Sequence, residues 1–177
     1  MSEFEEKRIS GEIVYAGNFI EVHRDVVRLP DGSQATRDYI RHPGAVAIVA
    51  LTETGDVVLE RQFRYPLARD LVEIPAGKLE TGEDHLETGK RELLEETGYS
   101  AARWNYLGQI HNAIGYSDEA IELWLAMGLT KGEAKLDKGE FLEVFTLPFD
   151  EALAMATDGR ISDVKTIVGL FWASTRR

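Results

Sequence analysis

The residues predict an α/β sandwich preceded by a small antiparallel strand unit, and three observations carry that expectation. Ala45 to Leu51 is a continuous apolar run containing Val46, Ile48 and Val49, as a strand covered on both faces requires. Glu119 to Met127 alternates in period two, with Ile121, Leu123, Leu125 and Met127 on one side. Between them, Gly77 to Tyr99 passes from loop to helix and stops at Gly98, the residue suited to a left-handed C-terminal cap. Strands and helices mixed in this order pack as layers.

Taken in order, residues 11 to 42 read as strands. Ile13, Tyr15, Ile20 and Val22 stand among polar neighbours, and Pro30-Asp31-Gly32-Ser33 is a strong turn signal. Gln34 to Arg41 returns, so residues 1–43 form the N-terminal antiparallel unit and residues 44–177 the main domain. Thr54-Gly55-Asp56 turns the apolar run into Val57 to Phe63 as its hairpin partner. A helix begins around Thr81 to Asp84, which stand three apart as in a capping box. Ala102 to Asn112 and Phe141 to Leu147 are further strands, with Lys131 to Gly139 a charged loop. Pro148 opens a helix stopped at Asp158-Gly159, and Ser162 caps a last one whose apolar face is Val164, Ile167, Val168, Phe171 and Trp172.

Composition narrows the function classes. Among 177 residues, 31 are acidic and 20 basic, a net charge of -11, which repels polyanions and argues against nucleic acid or an anionic membrane as partner. Cysteine is absent, excluding thiolate nucleophiles and Cys-ligated metals. The N-terminus is polar and acidic, without a readable signal peptide, and the longest apolar run is too short to span a bilayer. The expectation is a soluble, cytoplasmic protein.

The predicted helix is crowded with acid. At about 100° per residue, Glu92, Glu95 and Glu96 share one face, while Leu86, Leu93 and Thr97 share another that can pack inward. Like charges three or four apart repel, and the last turn disfavours negative charge. Arg91 offsets part of this, standing four residues from both Glu87 and Glu95. Mg²⁺ takes one or two carboxylates plus substrate phosphates, so this face suits it. A solvated acidic face is the plain alternative, and spacing alone leaves the two evenly matched.

The full pattern decides between them. Gly77, five residues, Glu83, seven residues, Arg91-Glu92-Leu93, then Glu95-Glu96, Gly98 and a closing apolar position resembles the Nudix box. Tyr99 departs slightly from the aliphatic residue usual there. The resemblance implies a Nudix hydrolase fold, a mixed sheet between helices with the box as loop–helix–loop. It implies Glu92 and Glu96 as main metal ligands, Glu95 as a further one, and the Ala76 carbonyl as an extra oxygen. Mg²⁺ is the expected cofactor, with Mn²⁺ as a substitute. Glu83 and Arg91 would hold the cluster in shape, and Arg91 and Glu95 count among the expected catalytic residues.

Flanking runs resemble the ADP-ribose and nucleoside-diphosphate-sugar pyrophosphatases: Leu71 to Glu80, Arg37-Asp38-Tyr39-Ile40 before His42-Pro43-Gly44, and Asp158 to Thr166. The implied reaction cuts the pyrophosphate of ADP-ribose or a related nucleotide sugar into a nucleoside monophosphate and a sugar phosphate. Relatives often exchange N-terminal strands, so a homodimer is expected. ADP-ribose hydrolases commonly carry a proline before a Gly-aromatic-Ser/Thr turn; here Gly115-Tyr116-Ser117-Asp118-Glu119 lacks it, which leaves other sugars open. The general base of such enzymes often sits on a loop before the last strand, making Glu140 the preferred candidate and Glu143 the second. Arg64 is a candidate phosphate contact and Glu73 a candidate hydrogen-bonding partner for the sugar.

Other features argue little. His23, His42, His85 and His111 lack ligand spacing, Gly82 to Arg91 has the wrong spacing for a phosphate-cradling P-loop, and Trp104, Trp124 and Trp172 read as core or dimer contacts. Two rival functions remain: a nucleoside triphosphate pyrophosphohydrolase using the same chemistry, and a nucleotide sensor without turnover.

Overall fold

The computed structural model describes residues 2–177. It divides into two compact units, one running through Gly44 and including His111–Ala120, the other comprising Ala45–Ile110 and Ile121–Arg177. In the first unit, β1 (Lys7–Ala16), β2 (Glu21–Arg28) and β3 (Gln34–Arg41) form an antiparallel sheet in that order. The Gly115 to Glu119 turn joins this sheet rather than standing apart. Ile40 N–H donates to Tyr116 O at 2.8 Å, and Asp118 accepts from Arg41 at 2.6 Å and from His42 N–H at 2.9 Å.

The second unit is a mixed sheet between helices. Its path runs β10 (Leu142–Pro148), β5 (Asp56–Arg64), β4 (Ala45–Leu51), β9 (Ile121–Lys131) and β8 (Tyr99–Ile110). β4 and β9 are parallel; the other pairs are antiparallel. The apolar β4 run feeds both faces by strict alternation. Ala47, Val49 and Leu51 join Leu123, Leu125, Phe149 and Leu170 beneath α2 (Phe149–Asp158) and α3 (Val164–Ser174). Val46, Ile48 and Ala50 join Val58, Ala126 and Leu93 of α1 (His85–Thr97) on the other side. Burying each of the larger of these side chains contributes about 1.5–3 kcal/mol.

Three local expectations change. β5 meets β4 only at Leu51↔Val57, so the hairpin is a short one. The other end of β4 is taken by β7 (Ala76–Lys78), paired as Ala45↔Lys78 through Ala47↔Ala76, while β6 (Arg69–Glu73) pairs with β5. Helix α1 is capped by Asp84, whose Oδ1 accepts from Leu86 N–H at 2.9 Å and Glu87 N–H at 3.2 Å; Thr81 forms no box with it. Gly82, at φ 82°, turns the chain between them.

Helix α3 is capped by Asp163 through Thr166 rather than by Ser162, and its buried residues are Thr166, Gly169, Leu170 and Ala173. Of the expected apolar face, Ile167, Val168 and Trp172 are partly buried against the core, while Val164 and Phe171 are exposed. The small Gly169 decides this, because a Cβ there would come within 3.0 Å of Val49 and 3.1 Å of Ile74. Its lack of a side chain lets α3 lie close to the sheet on that side. Among the described residues, no helix is long and apolar enough to cross a membrane.

Candidate active site

The β4–β7 pairing lays Ala76 and Gly77 beside α1, whose placement Leu93 fixes by packing under β4. Glu96 follows Leu93 by one turn of the helix and is drawn inward with it. It is 5% exposed, and its Oε2 accepts the Ala76 N–H at 3.0 Å. Glu92 rests against Gly77, where any Cβ would overlap its carboxylate. Glu95 lies further out, with 37% of its side chain exposed.

Arg91 ties the acids together. Its Nε and Nη2 grip Glu83 bidentately at 3.0 Å each, and its Nη1 reaches Glu92 at 2.9 Å and Glu95 at 3.0 Å. Glu87, the other acid four residues from Arg91, pairs with Lys90 instead. The Arg91 hydrogen bonds hold the pKa of Glu83 down at about 2, and the same bonds push the guanidinium pKa further up. Burial raises Glu92, against the opposing charge of Arg91.

The sequence reading missed Glu60. It follows Val57, Val58 and Leu59 on β5 and is 4% exposed. Val58 packs with Leu93 on the α1 side, and alternation sends Glu60 to that same side, where its carboxyl meets that of Glu96. Burial pushes both carboxyls up, and their mutual proximity raises Glu96 further. An acid ending a buried apolar strand run was the available signal.

A second charged group surrounds Glu73, which is 3% exposed. Arg64 donates to it at 2.6 and 2.8 Å, and Lys165 of α3 bonds to it while also pairing with Asp163 at 3.1 Å. Burial works against the Glu73 charge, but Arg64 and Lys165 outweigh it and bring the carboxyl pKa down to about 2. Arg64 keeps 41% of its side chain exposed.

Of the two candidate bases, only Glu140 lies in the loop, since Glu143 belongs to β10; Glu140 acts electrostatically on Glu60, Glu92 and Glu96. Glu143 is exposed and pairs with Arg61 at 2.7 Å, its register neighbour across β10 and β5.

Among the described residues, no three His, Asp or Glu side chains already converge as a metal cage. Arg91 holds Glu92 and Glu95, and the Ala76 amide holds one oxygen of Glu96. The donors nonetheless fit a hard divalent cation: they are carboxylate oxygens, they crowd in a desolvated place, and Glu60 Oε1 is buried without a hydrogen-bond partner.

Comparison with known proteins gives the family. The NUDIX domain matches residues 41–167, which include every residue of the acidic site. The chain belongs to the Nudix family. The stretch before the Nudix domain, residues 6–40, matches the nucleoside diphosphate sugar hydrolase N-terminal domain. Similar proteins include a methanol dehydrogenase activator of Bacillus methanolicus, 44% identical over 94% of this chain and 91% of that protein. An ADP-ribose pyrophosphatase of Bacillus subtilis (strain 168) is 40% identical over 94% of this chain and 91% of its own length. In fold, the chain resembles a crystal structure of an ADP compounds hydrolase, with a TM-score of 0.86 at 19% identity, covering 99% of this chain and 95% of that one. Nudix hydrolases generally use a divalent metal.

Proposed function

We propose that this protein hydrolyses the pyrophosphate bond of a nucleoside diphosphate joined to a sugar, ADP-ribose or a close relative, giving a nucleoside monophosphate and a sugar phosphate. The observation that carries the reading is the Arg91 clamp on Glu83, Glu92 and Glu95 beside the buried Glu96. Holding so many acids together in a partly dry site is costly unless a cation joins them. The N-terminal match at residues 6–40 and the relative named for ADP-ribose support the choice of a nucleotide sugar.

In this reading Glu92, Glu95, Glu96 and the Ala76 carbonyl hold Mg²⁺, for which Mn²⁺ can substitute. When held there, the metal would supply charge neutralisation for the phosphoryl oxygens and acidification of a water. Arg91 and Glu83 keep the carboxylates in place. Glu140 removes the proton from the attacking water, its charge already bearing on the acid cluster. Arg64 offers its exposed side to a phosphate oxygen, and Glu73, itself held by Lys165, fixes its orientation. The molecule works as a homodimer through the N-terminal strands: β1 is an edge strand that exposes Ile9, Ile13, Val14 and Tyr15.

A panel of ADP-ribose, GDP-mannose and deoxynucleoside triphosphates with Mg²⁺, with products identified, tests this. A nucleoside monophosphate plus a sugar phosphate is the expected result. Inorganic pyrophosphate released from a deoxynucleoside triphosphate as the dominant reaction defeats it, as does ADP-ribose binding without hydrolysis under every divalent metal tried.

A further inference from the structure

We infer that Glu60 is an additional carboxylate ligand for the divalent cation, supplied by strand β5 from across the site to α1. The inference rests on the metal-dependent reading above and adds a residue that lies outside the acidic box.

The geometry is specific. β5 runs in the sheet beneath α1, and Val58, two residues before Glu60, is buried with Leu93 of that helix. Glu60 is turned the same way and meets Glu96, three residues after Leu93. It is 4% exposed, and among the described residues its Oε1 has no hydrogen-bond partner. The neighbouring cations are committed elsewhere. Arg91 holds Glu83, Glu92 and Glu95; Arg64 and Lys165 hold Glu73.

A buried carboxylate with a vacant oxygen is a poor structural element, since an apolar residue of similar volume would pack there without the desolvation cost. Two carboxyls in contact also need a shared positive charge between them. A hard dication supplies it and engages the vacant Glu60 oxygen. Glu60 and Glu96, brought from a strand and a helix, thus give the cation ligands from two rigid elements.

The test is Mn²⁺ binding to the full chain without substrate, read by loss of the free-ion electron paramagnetic resonance signal and by the metal-induced rise in melting temperature. Glu60→Gln is expected to raise the Mn²⁺ dissociation constant about tenfold or more and to shrink the thermal rise. Its metal-free melting temperature should stay at or above that of the parent. If Glu60 merely orients Glu96 by a hydrogen bond, glutamine preserves that bond. Binding within about twofold of the parent would then overturn the inference, while Glu92→Gln, weakened in the same assay, would leave the metal-site reading standing. A parent protein that takes up no Mn²⁺ and hydrolyses nothing overturns both. Should Glu60→Gln fail to melt cooperatively, Glu60→Asp is judged by the same thresholds, because it keeps the charge but withdraws the oxygens by one methylene.

Discussion

Gly77 lies flat against the carboxylate of Glu92, so close that no other residue's Cβ fits between them. A β-strand edge and a helix side chain are thereby brought into direct contact, and the glycine at the start of the acidic box has a steric reason. Gly77→Ala is expected to displace Glu92, lowering kcat/KM by about a hundredfold at little cost in stability, because the flexible carboxylate end can swing aside. Steady-state kinetics with a urea melt checks both; an alanine variant with parental kcat/KM would show that Glu92 is not needed where it stands.

Glu96→Gln should remove most activity yet leave the metal-free protein at least as stable. Burial and the neighbouring Glu60 and Glu92 already push the Glu96 carboxyl up, so a neutral side chain suits the site better than a charge. Glutamine can still accept the Ala76 N–H. A large loss of metal-free stability would contradict the argument that the acids repel one another.

Arg91→Lys tests the clamp. A lysine keeps the charge but cannot grip Glu83 bidentately while reaching Glu92 and Glu95. Activity should fall at least about tenfold, with about 1–2 kcal/mol lost in denaturant unfolding. Parental behaviour in both measurements would reduce Arg91 to a surface charge.

The Glu73 group predicts an acid limb of stability. Its folded carboxyl stands at about 2 against an ordinary 4.5. Because the folded value is depressed, the stabilisation is present above about 4.5 and disappears as the pH falls toward 2. At 1.36 kcal/mol per unit this amounts to roughly 3 kcal/mol. Glu73→Gln should be less stable than the parent at neutral pH, with the difference closing between about pH 5 and pH 2 in urea titrations. A difference independent of pH would remove the ion pairs with Arg64 and Lys165 as its cause.

Glu140→Gln should lower kcat by a factor of about 10²–10⁴ while leaving metal binding in place. Glu143→Gln should remain near parental activity, because Glu143 is occupied by Arg61 on an exposed edge. The reverse ranking would move the base to Glu143.

By itself the sequence determined which chemistry the chain can attempt and much of its layering. The glycine and acid spacing from Gly77 to Gly98 is local to one turn and one helix, so it survives in one dimension, and the helix ends at Gly98 with φ 73° as the spacing predicts. The apolar β4 run likewise announces burial on both faces, because alternation within a strand is a local property. Glu60, β7 and the inward face of α3 were different: each depends on which distant segment lies opposite. Glu60 belongs to the site only because β5 passes beneath α1, and Gly169 selects the buried side of α3 only because Val49 and Ile74 lie there. Tertiary structure alone decides such pairings, since the desolvation and steric terms that fix them act between residues far apart in the chain.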